Sequence, residues 1–336
     1  MSFILKNKWV FMGISIVLMI VSVVSLLTRG FNLDTDFAGG IAVTYEIKAD
    51  FDVADVENIV SNALGADQKA SSVQRSNDNE VVIKFGYDNS LESDEARSDF
   101  ALSKVSAITT SLVEKYDPNG AAAVEEDAAA VEETAEGENP EENAEEVKEA
   151  VVTLKNQDII SPSTGQELAR SAFWMSLLAC IAILLYVTFR FEFVSGVVAV
   201  VCLVHDVLIL LGIYSIAGWS VDTNFIAAIL TVLGYSINNT IVIMDRIREN
   251  TRHARKESYA EIADNSVNQT IGRSINTTIT TLLTIGMVYI LGVTSIKAFA
   301  LPIIIGILIG FYSSVFVAGS LWATWRDSAV KAKKKA

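Results

Sequence analysis

The 336 residues are 51% hydrophobic with a mean hydropathy of +0.38, too apolar over too great a length for an ordinary soluble domain. The net charge of −14 misleads: residues 121–150 hold twelve acidic residues and one lysine, contribute −11, and leave the rest near −3. An acidic partner-seeking surface is therefore excluded as a property of the whole chain, and a polytopic membrane protein is indicated.

In chain order, Lys6 and Lys8 precede an apolar run over about 9–28. The run exceeds the roughly 7–15 residues of a cleaved leader and lacks a convincing small-x-small cleavage site, so it is read as an uncleaved membrane anchor. An alternating strand follows at 41–47, then helical spacing at Val53, Val56, Ile59 and Val60. Segments 71–76 and 80–85, separated by Asn77-Asp78-Asn79, read as a hairpin. A long amphipathic helix runs over 91–116 through Phe100, Val105, Ile108 and Leu112, and a last strand occupies 151–160. The order β-α-β-β-α-β predicts a ferredoxin-like α+β domain over 30–165. Residues 117–150 form an acidic, low-complexity insert read as a solvated linker.

Five more apolar runs of membrane length follow at about 172–189, 193–217, 223–244, 276–292 and 298–325. Six transmembrane helices are thus expected, with an extracytoplasmic domain between the first and second. The membrane domain is 166–326, with a cytoplasmic loop at 245–272 and a basic tail at 327–336. Lys6 and Lys8, Arg190, the arginines from Arg246 to Arg273 and the tail lysines all fall on one side of a six-span chain. The positive-inside rule makes that side cytoplasmic, with both termini there and residues 1–29 entering the membrane from it.

Polar residues inside the spans are the candidates for function. His205-Asp206 falls near the centre of the third, where a charged Asp costs roughly 2.5–3.5 kcal/mol on insertion scales. Asn238 and Asn239 lie in the fourth. Gly234, Asn238 and Asp245 share one face of it, and Thr231, Tyr235 and Asn239 a neighbouring one. Arg273 opens a stripe with Thr277, Thr281 and Thr284 in the fifth. Together these supply an imidazole, a carboxylate, two amides and a guanidinium, a polar core suited to an ion path. The bland alternatives are hydrogen-bonded packing, threonine glue and an arginine reaching the interface. Gly306-x-x-x-Gly310 with Ser313, Ser314 and Gly319 reads as a close-packing face without chemistry. Cys180 and Cys202 sit in apolar spans, and neither they nor His205 and His253 form a metal constellation.

The chain resembles the SecF family, membrane subunits of the bacterial SecDF preprotein-export factor. The resemblance rests on Asp36-Phe37-Ala38-Gly39-Gly40 after the first span, His205-Asp206-Val207, and the stretch from Gly234 through Asp245, Arg246, Arg248, Glu249 and Asn250. The Arg273–Thr278 run and the small residues of the sixth span add to it. It implies a fold related to resistance-nodulation-division transporters and a location in the bacterial cytoplasmic membrane. It also implies a SecD-like partner, the SecYEG channel and unfolded preproteins, with work drawn from a proton or sodium gradient and no other cofactor. Where the family carries a titratable Asp near an essential arginine, this chain has Asn239 near Arg273, and an amide carries no proton. Three explanations stand: coupling through carboxylates of the partner with Asp206 assisting, sodium ligation by the amide oxygens, or a scaffold without coupling. Asp34 and Thr35 also depart from the family, which usually has Gly and an aliphatic residue there. Rival readings are a small-molecule or lipid exporter of the same superfamily and a structural SecD-stabilising subunit. An enzyme is not indicated, since no nucleophile–base pair or phosphate loop is visible. Nor is nucleic-acid binding, since the basic residues track the membrane.

Overall fold

The computed structural model describes residues 6–65, 70–77, 79–87, 91, 93–117, 151–190, 192–254, 257–292 and 294–335. The chain divides into two units, Asp34–Leu168 and the pair of segments Met1–Leu33 with Ala169–Ala336.

In the second of these, apolar length dictates helices. They are α1 (Lys8–Arg29), α6 (Phe193–Ala217), α7 (Thr223–His253), α8 (Tyr259–Leu291), α9 (Thr294–Tyr312) and α10 (Gly319–Lys335), the last two joined by a π-helical segment, Ser313–Ala318. Among the described residues five helical stretches are long and apolar enough to cross a membrane, the last of them Ile296–Ala329. The remaining expected span, 172–189, lies inside a continuous helix α5 (Pro162–Arg190), several of whose side chains lie outside the described residues. α6, α7 and the α9–α10 rod bury about half of their apolar windows, whereas α1 and α8 turn most of theirs outward.

Ends are set by local chemistry. α6 stops at Gly218, whose φ of +69° suits a residue without a Cβ. The Asp222 side chain then accepts from Phe225 N at 2.8 Å and caps α7. A two-residue parallel pair, β1 (Asn32–Leu33) with β6 (Ser220–Val221), ties the end of α1 to this turn. The segment expected as a loop, 245–272, is almost wholly helical: α7 runs on to His253 and α8 starts at Tyr259. The cause is a capping box, in which Ser258 accepts from Glu261 N while the Glu261 carboxylate accepts from Ser258 N at 2.8 Å. Polar composition had hidden the helix, because these turns are amphipathic and bury Ile262, Ala263 and Val267.

The Asp34–Leu168 unit holds a short helix α2 (Thr35–Ala38), β2 (Gly40–Ile47), α3 (Val53–Leu64), β3 (Ala70–Asn77), β4 (Glu80–Phe85), α4 (Asp94–Tyr116) and β5 (Val152–Ile160). The strands pair antiparallel in the order β3-β4-β2-β5, with a bulge at Thr44/Tyr45. Period-2 alternation sends Ile41, Val43, Tyr45 and Ile47 with Val81, Ile83 and Phe85 into the core. Val56, Val60 and Leu64 of α3 and Ala101, Val105, Ile108 and Leu112 of α4 cover them. The acidic stretch 121–150 lies outside the described residues.

Candidate functional site

Asp206 sits midway along α6 with 1% of its surface exposed, beside His205 with 2%. A bare carboxylate there would be prohibitive, and three donors surround this one. His205 Nδ1 lies 2.8 Å from Asp206 Oδ1. Ser313 donates to Asp206 Oδ2 at 2.8 Å, and Ser236 donates to the same oxygen. Both serines are fully buried. The carboxylate therefore ties α6 to α7 and to the π segment. Hydrogen bonds to a charged group contribute about 1.5–3 kcal/mol each, and their loss strands buried donors.

The cluster extends in two directions. The Tyr312 ring stacks beside His205 with centroids 6.3 Å apart, and its hydroxyl donates to Phe11 O of α1 at 2.9 Å while receiving Ser15 at 3.3 Å. On the other side, Thr240 and Ser314 share a buried hydroxyl contact of 2.8 Å. Since Nδ1 donates when the carboxylate is charged, His205 Nε2 is left as an acceptor. It is buried without a partner among the described residues.

Among the described residues, none of the other span candidates hydrogen-bonds to this cluster. Asn239 is buried, and its amide nitrogen has no partner among the described residues. Asn238 faces outward on α7, in line with Thr231, Gly234 and Asp245. Two adjacent helical residues point about 100° apart, so the amides do not converge. Arg273 is exposed on α8, in line with Asn276, Thr277 and Thr280, and has no ion pair among the described residues. The neighbouring face is internal: Tyr235 donates to Thr278 at 3.0 Å.

The motif residues take mainly structural positions. Arg246 donates through Nε to Gln269 Oε1 and through Nη1 to Glu249 Oε2, both at 2.6 Å. Asn250 donates to Ser266 Oγ at 2.8 Å and to Gln269 Oε1 at 2.9 Å. The α7–α8 hairpin is thereby clamped through Gln269, while Asp245 faces outward and Arg248 is half-buried. In the other unit, Phe37 is buried and Gly39 has φ +79°, with room for a Cβ closed by Pro162 Cα at 2.7 Å. A Cβ on Gly40 would meet Phe85 O at 2.7 Å. Asp36 lies in the α2 turn, and Asp34, buried just ahead of it, accepts from Lys84 at 2.5 Å. Gly306 and Gly310 let α9 lie directly on Val232 and Ser236 of α7.

Sequence reasoning found His205 and Asp206 but not their partners. Ser236 lies in the stretch from Gly234 that carries the resemblance and Ser313 on the small-residue face of the sixth span, but neither position by itself points to Asp206. The readable signal is spacing: Gly310, Ser313 and Ser314 line one face of the last apolar run.

A family model described as protein export membrane protein SecD/SecF, C-terminal, matches residues 140–328. The protein translocase subunit SecF of Dictyoglomus turgidum is 31% identical over 96% of both chains. Protein translocase subunit SecDF of Thermus thermophilus is 42% identical over 53% of this chain, a match spanning 24% of that longer protein. A crystal structure of SecDF from Thermus, described as a translocon-associated membrane protein, superposes with a TM-score of 0.71 at 29% identity. That match covers 97% of this chain and 39% of the solved one.

Proposed function

The chain belongs to the SecD/SecF family of protein-export membrane proteins, and from that premise we propose that it helps complete preprotein translocation across the bacterial cytoplasmic membrane by drawing on an ion gradient. The observation that carries this reading is the 31% identity to a SecF subunit along nearly the whole of both chains. It acts as an accessory subunit of translocation and not as an enzyme of the ordinary kind.

A SecD-like partner is supported by the SecDF relatives, in which a match to this chain occupies part of a longer one. The outward face of α8 supports the same partner. Arg273, Asn276, Thr277, Thr280 and Thr284 are uncovered there. Arg273 stands at the cytoplasmic end of this stripe, and the amide and hydroxyls that follow it toward the membrane find partners on neighbouring helices. The SecYEG channel and unfolded preproteins complete the assembly. In this arrangement α5 supplies the second of six spans, both termini are cytoplasmic, and the Asp34–Leu168 unit lies outside as a ferredoxin-like domain. Its strand order β3-β4-β2-β5 supports that description.

The coupling ion is H⁺ or Na⁺. One charge crossing 100 mV delivers about 2.3 kcal/mol, enough to bias a domain movement. Asn239 cannot titrate, so coupling rests on carboxylates of the partner with Asp206 assisting from within this chain. A second reading, a structural subunit without coupling of its own, is favoured by that same amide. The two separate in inverted vesicles energised by a limiting gradient. Coupling through this chain predicts slower preprotein export with Asp206→Asn than with wild type. Equal rates sink Asp206 and favour the structural subunit; export unaffected by removal of the whole chain sinks both.

A further inference from the structure

The π-helical segment Ser313–Ala318 sits in the middle of a rod of 42 residues from Thr294 to Lys335. π-helical turns are rare, and within α-helices they concentrate at functional sites. Here the segment begins at the two hydroxyls that matter most. Ser313 reaches Asp206 Oδ2 and Ser314 reaches Thr240, each at 2.8 Å.

The rod is anchored on both sides of this segment. Ahead of it, Gly306 lies on Val232 with no room for a Cβ, and Gly310 lies close against Ser236. Behind it, Gly319 lies on Val267, and the buried Trp322 meets the Tyr259 ring edge-on at 5.7 Å. A π segment can pass along a helix without moving its ends; only the residues it passes turn, by about 100° each. Such a shift would withdraw Ser313 and Ser314 from α6 and α7 while the glycine contacts stay in place. Ser313 has an alternative acceptor at hand, Gly310 O at 3.2 Å.

We propose that Ser313–Ala318 is a movable joint, held in its observed register by the charged carboxylate of Asp206. Charge-assisted hydrogen bonds are roughly twice as strong as neutral ones, so neutralising Asp206 loosens the latch. The inference deepens the reading that Asp206 responds to the coupling ion, since it names what that response would move. The titratable groups around the latch are His205 and Cys202 on the same helix and Tyr312 on α9; α7 and the π segment face it with the hydroxyls of Ser236, Thr240, Ser313 and Ser314.

Hydrogen–deuterium exchange of the full chain in lipid nanodiscs tests this without an export assay. Ser313→Ala and Asp206→Asn should each speed exchange across residues 311–318 by about tenfold or more, with residues 223–233 of α7 unchanged. Ser313→Ala is decisive where the aspartate variant does not fold. Unchanged exchange at 311–318, or equal acceleration throughout α6, α7 and α9, overturns the joint. Either result leaves the export reading to its own vesicle assay, and failure of that assay leaves the exchange result standing.

Discussion

Ser313 and Asp206, 107 residues apart, meet through a 2.8 Å hydrogen bond at the buried centre of the helical unit. The same carboxylate oxygen receives Ser236, so one residue of α6 organises two neighbouring elements. Asp206→Ala should destabilise the unit by about 1–3 kcal/mol for each donor left without a partner, because it removes the acceptor shared by Ser236, Ser313 and His205. Asp206→Asn keeps an oxygen acceptor and should cost less. Ser236→Ala and Ser313→Ala should each cost about 1–3 kcal/mol, and the double variant less than their sum. Unfolding titrations in mixed micelles read all of these.

Gly306→Ala would drive a methyl into the branched Val232 side chain, its Cβ pressed against Val232 Cγ2. A loss of about 1–3 kcal/mol is expected, with Val232→Ala restoring much of it. Gly310→Ala, whose Cβ would stand 3.0 Å from Ser236 Cβ, should be milder. The same titrations rank the three.

Gln269 accepts from both Arg246 and Asn250, so Gln269→Ala should loosen the α7–α8 hairpin, and adding Asn250→Ala, which also removes the bond to Ser266, should open it further. Limited proteolysis in the connection at 254–258 is the measure. Faster cleavage in Gln269→Ala, and faster still in Gln269→Ala with Asn250→Ala, is the expected pattern.

Tyr45 is buried beneath the sheet, and burial raises its pKa to about 12 against an offsetting hydrogen bond from Thr109. Its folded value lies above the unfolded value of about 10, so the contribution is complete below pH 10 and is lost as pH rises through 12. Two units correspond to roughly 3 kcal/mol at most. The stability difference between wild type and Tyr45→Phe should shrink across that window, as followed by alkaline unfolding of the full chain.

How far the sequence foretold all this depended on the kind of signal. Period-2 alternation in β2 and β4 and helical spacing in α4 are local, and the structure buries those very faces. Asp206 was conspicuous because a carboxylate in an apolar run is costly wherever it falls. Its partners were not, because Ser236 and Ser313 are inexpensive on any membrane helix and acquire meaning only through helix packing. The π segment was invisible for the same reason: a one-residue change of register leaves no compositional trace. Asn238 and Asn239 looked like a pair along the chain, whereas helix geometry sends one outward and buries the other.

We propose that this chain works in protein export beside a SecD-like subunit. Purification of the intact chain from its native membranes in mild detergent, with identification of what accompanies it, tests that claim most directly. The account predicts a SecD-like chain in near-equal amount, with or without the translocation channel. An outer adaptor protein in its place, or the chain by itself, would contradict the account and put a small-molecule or lipid exporter first.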